Sequence, residues 1–168
     1  AADFRATGQT GILIAGSGVP IDAVIADFIA GAAEWLSPDR HDGGWDLIEG
    51  QGSLFHPSYA GVSLGLLHGA QAKALVLCHE VGREAIRHAG DYPVPALGDC
   101  LARNLEAARL TSPDVIAVGV AVNASALPAR EAQAYCQRVE DELGLPCQDP
   151  VAMGVDRIVD RLLSCCAA

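Results

Sequence analysis

The sequence predicts an α/β fold, a three-layer αβα sandwich built on a mostly parallel sheet. Three observations lead there. Short apolar runs alternate with segments that carry apolar residues at helical spacing, the pattern of parallel strands joined by right-handed crossovers. The runs are nearly continuous in apolar character, as strands covered on both faces must be. Half of the residues (51%) are hydrophobic, only 5% are aromatic and 18 are glycine, a composition suited to close helix–sheet packing. At 168 residues the chain fits one domain, 1–168, able to bury about two-thirds of its unfolded surface.

Residues 10–15 (TGILIA) read as a first buried strand flanked by glycine. Gly16-Ser17-Gly18 then forms a turn, and Pro20 suits the first turn of a helix over residues 21–36. Residues 45–49 (WDLIE) form a second strand and 58–68 a glycine-containing helix. Residues 74–78 (ALVLC) are a third strand, followed by His79-Glu80 and a short helical segment over 81–88. The prolines of Asp91-Tyr-Pro-Val-Pro95 end that segment. Residues 96–110 form an amphipathic helix and 115–122 (VIAVGVAV) the clearest strand, ending at Asn123. A helix over 129–143 closes at Gly144, and a short strand at 146–148 and a helix over 154–163 complete the chain.

Charge and cysteine usage narrow the function. The formal net charge is -10 and Lys73 is the only lysine. A generic nucleic-acid binder needs a basic stripe, which this chain lacks, so the partner expected is a small molecule. The six cysteines show no C-x-x-C pairing, and several lie in apolar strand or helix patterns, where free cysteine acts as a small hydrophobe. No signal peptide and no run of about 18 apolar residues is visible, so the expectation is a cytoplasmic protein without a membrane span.

In an open parallel sheet, ligands bind beyond the carboxyl ends of the strands. The strand reading brings four groups to that rim: Gly16-Ser17-Gly18, Glu49-Gly50-Gln51-Gly52 with Ser53, His79-Glu80, and Asn123. Gly50 and Gly52 would let backbone amides approach a ligand, although an apolar strand followed by a glycine turn gives the same pattern. Gly16-Ser17-Gly18 is either an anion site at a helix start or a plain capped junction. Asp22 fits a helix-dipole partner. Glu49 is a candidate base or ligand-orienting acid. His56 and His79 are candidate acid–base groups, because imidazole titrates near neutral pH. Arg83 and Arg87, four residues apart on a helix face, are candidates for holding a carboxylate or phosphate. Ser53 and Ser58 lack a Ser–His–acid order, and no zinc-type ligand spacing or G-x-x-x-x-G-K-[S/T] loop occurs.

Several long runs carry a resemblance. Residues 6–22, residues 45–59, Leu75-Val-Leu-Cys-His-Glu80, Asn104-Leu-Glu-Ala-Ala-Arg-Leu110 and Gly119-Val-Ala-Val-Asn-Ala-Ser125 resemble the C-terminal, P-loop-like domain of the DgcN-type family. That family, long labelled a domain of unknown function, includes D-glutamate N-acetyltransferases. The resemblance runs from about Arg5 to Leu163. It implies a longer two-domain parent whose phosphate-binding strand, loop and first helix lie upstream of the matching stretch. It also implies N-acetylation of an acidic amino acid such as D-glutamate, with acetyl-CoA as cosubstrate. Glu49 or His79 would be the base, Gly50–Ser53 amides the oxyanion donors, and Arg83 or Arg87 the carboxylate anchor. Glu49-Gly50-Gln51-Gly52 is also similar to the acid–glycine segment of dethiobiotin synthetase-like enzymes, which implies the alternative of ATP and magnesium chemistry. A third possibility is a non-catalytic scaffold. An incomplete domain exposes a sheet edge and an apolar face, so a homo-oligomer or association with the missing N-terminal portion is expected.

Overall fold

The computed structural model describes residues 1–50 and 52–166. It is an α/β structure with parallel sheets and helices, as the sequence predicts. Its contacts divide it into two compact units, Ala1–Gln71 with Leu110–Ser112, and Ala72–Arg109 with the chain from Pro113 onward. Among the described residues no helix is long and apolar enough to cross a membrane.

In the first unit, β1 (Ala2–Arg5) pairs in parallel with β2 (Trp45–Ile48), with Ala2 opposite Trp45 and Arg5 opposite Ile48. This register sets Asp3 directly against Asp46, a like-charge pair that disfavours the ladder. Arg40 resolves the conflict by donating from Nη1 to both, at 2.6 Å to Asp3 and 3.0 Å to Asp46, while Arg5 Nε donates to Asp46 at 2.9 Å. Arg40 also donates to Asp42, and that contact with the guanidinium holds the Asp42 carboxyl well below the usual carboxylate range.

The run at 10–15 is not a strand. It forms helix α1 (Gln9–Ala15), whose C-cap Gly16 has φ 70° and donates its N–H to Ile12 O at 2.8 Å. A short apolar run cannot distinguish strand from helix by periodicity. Here the place beside β2 is occupied by Ala2–Arg5 instead. The helix expected over 21–36 is likewise broken. Two 3-10 turns, Ile21–Ala23 and Ala26–Phe28, precede α2 (Ile29–Leu36), because Val24 and Ile25 are extended, with ψ of 138° and 136°.

Helix α3 (Ala60–Ala70) packs on α2 through glycine. A Cβ on Gly65 would lie 2.5 Å from Ile29 Cγ2, and one on Gly69 would lie 2.3 Å from the Ala30 carbonyl oxygen. The four-residue spacing of Gly65 and Gly69 puts both on one helix face, so the two backbones come closer than any side chain would allow.

In the second unit the sheet order is β3 (Ala74–Glu80), β4 (Ile116–Asn123), β5 (Cys147–Gln148), all parallel. Val120 and Val122 point to one face and pack with Ala132, Cys136 and Val139 of α5 (Ala129–Leu143). Leu97 of α4 (Leu97–Ala108) packs against the same cluster. Gly119 faces the other way, where its missing Cβ leaves room for Ile158 of α6 (Asp156–Cys166), whose Cγ1 would be only 2.8 Å away. Helices therefore cover both faces of this sheet, as alternation along a strand requires. Gln148 Oε1 accepts the backbone N–H groups of Arg157 and Ile158 at 3.0 and 3.2 Å, capping the start of α6.

Residues 81–88 are not helical. Gly82 and His88 have φ of 82° and 62°, and an antiparallel bridge joins Ala85 to Pro93. Ile86 N–H donates to Tyr92 O at 2.8 Å and Val94 N–H to Glu84 O at 2.9 Å. The segment folds back on itself through left-handed positions instead of winding into a helix.

Two α3 glycines, one at the crossing and one away from it, provide a stability test. Gly69→Ala drives a methyl into the Ala30 carbonyl and should cost about 2–3 kcal/mol. Gly61→Ala meets nothing within 4 Å and should stabilise by about 0.5 kcal/mol through helix propensity. Urea unfolding of both variants checks this, and equal effects would contradict the packing described.

Candidate active site

The strand ends of the first unit are occupied by a carboxylate that the protein itself uses. Glu49 follows β2, and its Oε2 accepts the backbone N–H groups of Gly8 at 2.9 Å and Thr7 at 3.2 Å. Thr7 Oγ1 donates to the Glu49 carbonyl at 2.6 Å, and Glu49 N–H donates to Arg5 O at 3.1 Å. Gly8 and Gly11 make room for this carboxylate, since Cβ atoms there would lie 3.0 and 3.1 Å from its oxygens. Glu49 thus satisfies amides at the start of α1 from a distant point in the chain.

Gly16-Ser17-Gly18 sits at the other end of that same helix. It does not end a strand or open a helix. Gly16 is the C-cap, and Gly18, at φ 148°, lies against the Ala6 carbonyl, where a Cβ would be 2.4 Å away. Val19 N–H donates to the same oxygen at 3.0 Å. This glycine pair therefore turns the chain over Ala6, and its position does not provide the expected helix-start anion site.

The loop after Glu49 is organised by its own turns. Gly52 has φ 74° and closes against Tyr59 and Ser63, and a Cβ on Gly50 would lie 3.2 Å from Leu66. Ser53 Oγ accepts the Phe55 N–H at 3.1 Å. His56 is 6% exposed, packs its ring 4.6 Å from that of Tyr59, and accepts the Ser58 N–H at Nδ1, 3.1 Å away. Burial and this turn contact suit a structural histidine. Gln51 lies outside the described residues.

The second unit holds an open cleft of about 740 Å³ at the carboxyl ends of β3 and β4. His79, Glu80 and Asn123, all expected at a strand-end rim, line it together. Ser125, Gln133, Asp149 and Met153 join them. His79 stacks on Tyr135 of α5 at 6.3 Å between ring centroids and 13° between planes, and Arg138 lies 5.4 Å over the Tyr135 ring. Burial pushes the His79 imidazole below its usual pKa and the nearby Arg83 pushes it the same way, against the opposing influence of Glu80. Glu80 forms an ion pair with Arg83. Arg83 and Arg87 do not share a helix face, because no helix forms there. The expected two-arginine carboxylate clamp on a helix is therefore corrected.

Asp149 is the site residue that the sequence reading passes over. It is 5% exposed, and Oδ2 accepts the Ala124 N–H at 2.9 Å while Oδ1 accepts those of Val151 and Ala152 at 2.9 and 3.1 Å. These donors, Ala124 foremost, hold its carboxyl below the usual range despite burial. Its carboxylate joins the loop after β4 to the loop after β5, the two walls of the cleft. The signal was available, since Asp149 directly follows β5 just as Asn123 ends β4. All six cysteines are free thiols, and Cys78 lines the cleft.

A family model described as DUF1611, a P-loop domain of unknown function, matches residues 1–159. The chain belongs to the DUF1611 family. A crystal structure of a DUF1611 protein from Anabaena variabilis superposes with a TM-score of 0.89 at 35% identity, covering 97% of this chain and 48% of that one. D-glutamate N-acetyltransferases from Pseudoalteromonas sp. and Tritonibacter scottomollicae are each 54% identical to it, over 160 and 159 residues. Both matches cover 95% of this chain and 48% of the relative, so the DUF1611 chain described here spans about half the length of these relatives.

Asp149 gives a test with a definite sign. A carboxyl with a lowered folded pKa contributes stability that is present above its unfolded value, about 3.9, and is lost as pH falls through the folded value. Asp149→Ala should cost about 3 kcal/mol near neutral pH, where three amides lose their acceptor. Asp149→Asn should flatten the loss of stability below about pH 4. Urea titrations between acidic and neutral pH measure both; an unchanged acid dependence in Asp149→Asn would refute the role.

Proposed function

We propose that the protein to which this chain belongs transfers an acetyl group from acetyl-CoA to the amine of D-glutamate, with the cleft of the second unit as the reacting site. The observation that carries the reading is the 54% identity, over 95% of the chain, to two D-glutamate N-acetyltransferases. The geometry of the cleft supports it. Acyl transfer to an ammonium needs a base that is unprotonated near neutral pH. His79 meets that need, because burial and Arg83 lower its affinity for a proton. Glu49 fits the base role less well, since its carboxylate is held by the Thr7 and Gly8 amides.

The reaction then proceeds by removal of a proton from the substrate ammonium by His79 and attack of nitrogen on the thioester carbonyl. The C–N bond forms and the C–S bond breaks; the proton held by His79 passes to the departing thiolate, and the second proton that nitrogen sheds in becoming an amide goes to solvent. Asn123 turns Oδ1 to the Ser125 N–H at 3.1 Å, which leaves its Nδ2 as a donor for the oxyanion. Asp149 lines the cleft on the side of the substrate amine, and Arg83, paired with Glu80 beside His79, is the cation available to a substrate carboxylate.

The assay is release of free CoA from acetyl-CoA with D-glutamate as acceptor. His79→Gln should lower kcat by about 10²–10⁴ with little change in thermal stability. In the unaltered protein kcat/KM should rise with pH through a pKa below about 6.5, the value ordinary for histidine, since activity needs the unprotonated ring. Absence of CoA release with D-glutamate, or a fully active His79→Gln, would refute the proposal.

A further inference from the structure

We infer that the cleft of the second unit takes the uncharged acyl-pantetheine arm of the cosubstrate and leaves its phosphates outside. The inference rests on the acetyl-CoA reading above and specifies which part of that molecule the cleft holds. Charge decides it first. Among the described residues lining the cleft none is lysine or arginine, and the ionised groups are the carboxylates Glu80 and Asp149. Phosphates need cations or a cradle of free amides, and the amides of Ala124, Val151 and Ala152 are already donated to Asp149. The described lining therefore offers a phosphate no cation of its own, whereas a neutral chain needs none.

The walls decide it second. Val122, Leu127, Ala132 and Met153 supply an apolar surface, and Ser125 and Gln133 add neutral side chains that donate and accept hydrogen bonds. A mostly apolar pocket with a few neutral polar groups selects a mostly apolar ligand with a few amides. The pantetheine arm has that make-up, with methylenes, a geminal dimethyl group and two amides. Size agrees. A space of about 740 Å³ falls in the range of about 300–1,000 Å³ that holds extended organic ligands, far larger than one amino acid needs. An arm lying there brings its thioester end to the cleft that His79 lines.

The test uses pantetheine and adenosine 3′,5′-bisphosphate, the two ends of the cosubstrate, as separate probes of the 168-residue chain. Cys78 lines the cleft, so an occupant shields its thiol. Saturating pantetheine should slow maleimide labelling of Cys78, read by peptide mass spectrometry, by about tenfold. The bisphosphate should not, and labelling of the exposed Cys165 should stay constant with either. Ala129→Trp, an exposed cleft-lining position, should abolish the protection while leaving the unfolding midpoint unchanged. Protection by the bisphosphate but not by pantetheine, or by neither, overturns the inference. Protection by pantetheine without acetyl transfer to D-glutamate supports the site and removes only the functional reading. Acetyl transfer without protection removes only the site.

Discussion

Backbone amides at the carboxyl ends of parallel strands must find acceptors once the chain leaves the sheet, and buried ones that fail to do so are costly. Both units meet this constraint with a carboxylate placed just after a strand. In the first, Glu49 takes the amides of Thr7 and Gly8 and so fixes where α1 begins. In the second, Asp149 takes those of Ala124, Val151 and Ala152 and so fixes the distance between two loops. The second case has the larger consequence, because those loops are the walls of the cleft. One buried anion thus ties the two walls of the cleft together.

That anion also shapes the electrostatics of the site. A carboxylate surrounded by three donors stays ionised, and it stands beside Glu80 with no lysine or arginine among the described lining residues. His79 is placed between these influences: Glu80 favours its protonated form, while burial and Arg83 oppose it more strongly. Tyr135 of α5 stacks against the His79 ring, which lines the cleft.

Small residues set the packing. Gly65 and Gly69 let α3 meet α2 at backbone distance, and Gly119 gives Ile158 of α6 a seat on the sheet. The sequence puts Gly65 inside a helical pattern and Gly119 inside a strand pattern, where glycine is ordinarily unfavourable. Neither the close approaches nor their partners were legible from that. Of the candidate site, His79, Glu80 and Asn123 were legible because a polar group directly after an apolar run marks a strand end. Arg83 and Arg87 were misread because residues 81–88 have helical composition but left-handed turns at Gly82 and His88.

The sequence by itself determined the α/β class, the parallel direction of the strands, the helices at the core of the second unit and the strand-end placement of His79, Glu80 and Asn123, because each follows from local periodicity and from the rule that parallel strands are buried on both faces. Tertiary structure alone decided that residues 9–15 form a helix, since TGILIA suits either state and the place beside β2 goes to Ala2–Arg5. It alone turned Glu49 into a cap and Asp149 into a clamp, because a carboxylate's role depends on which amides the fold leaves unpaired nearby, and those lie 41 and 42 residues away for Glu49 and as far as 25 for Asp149.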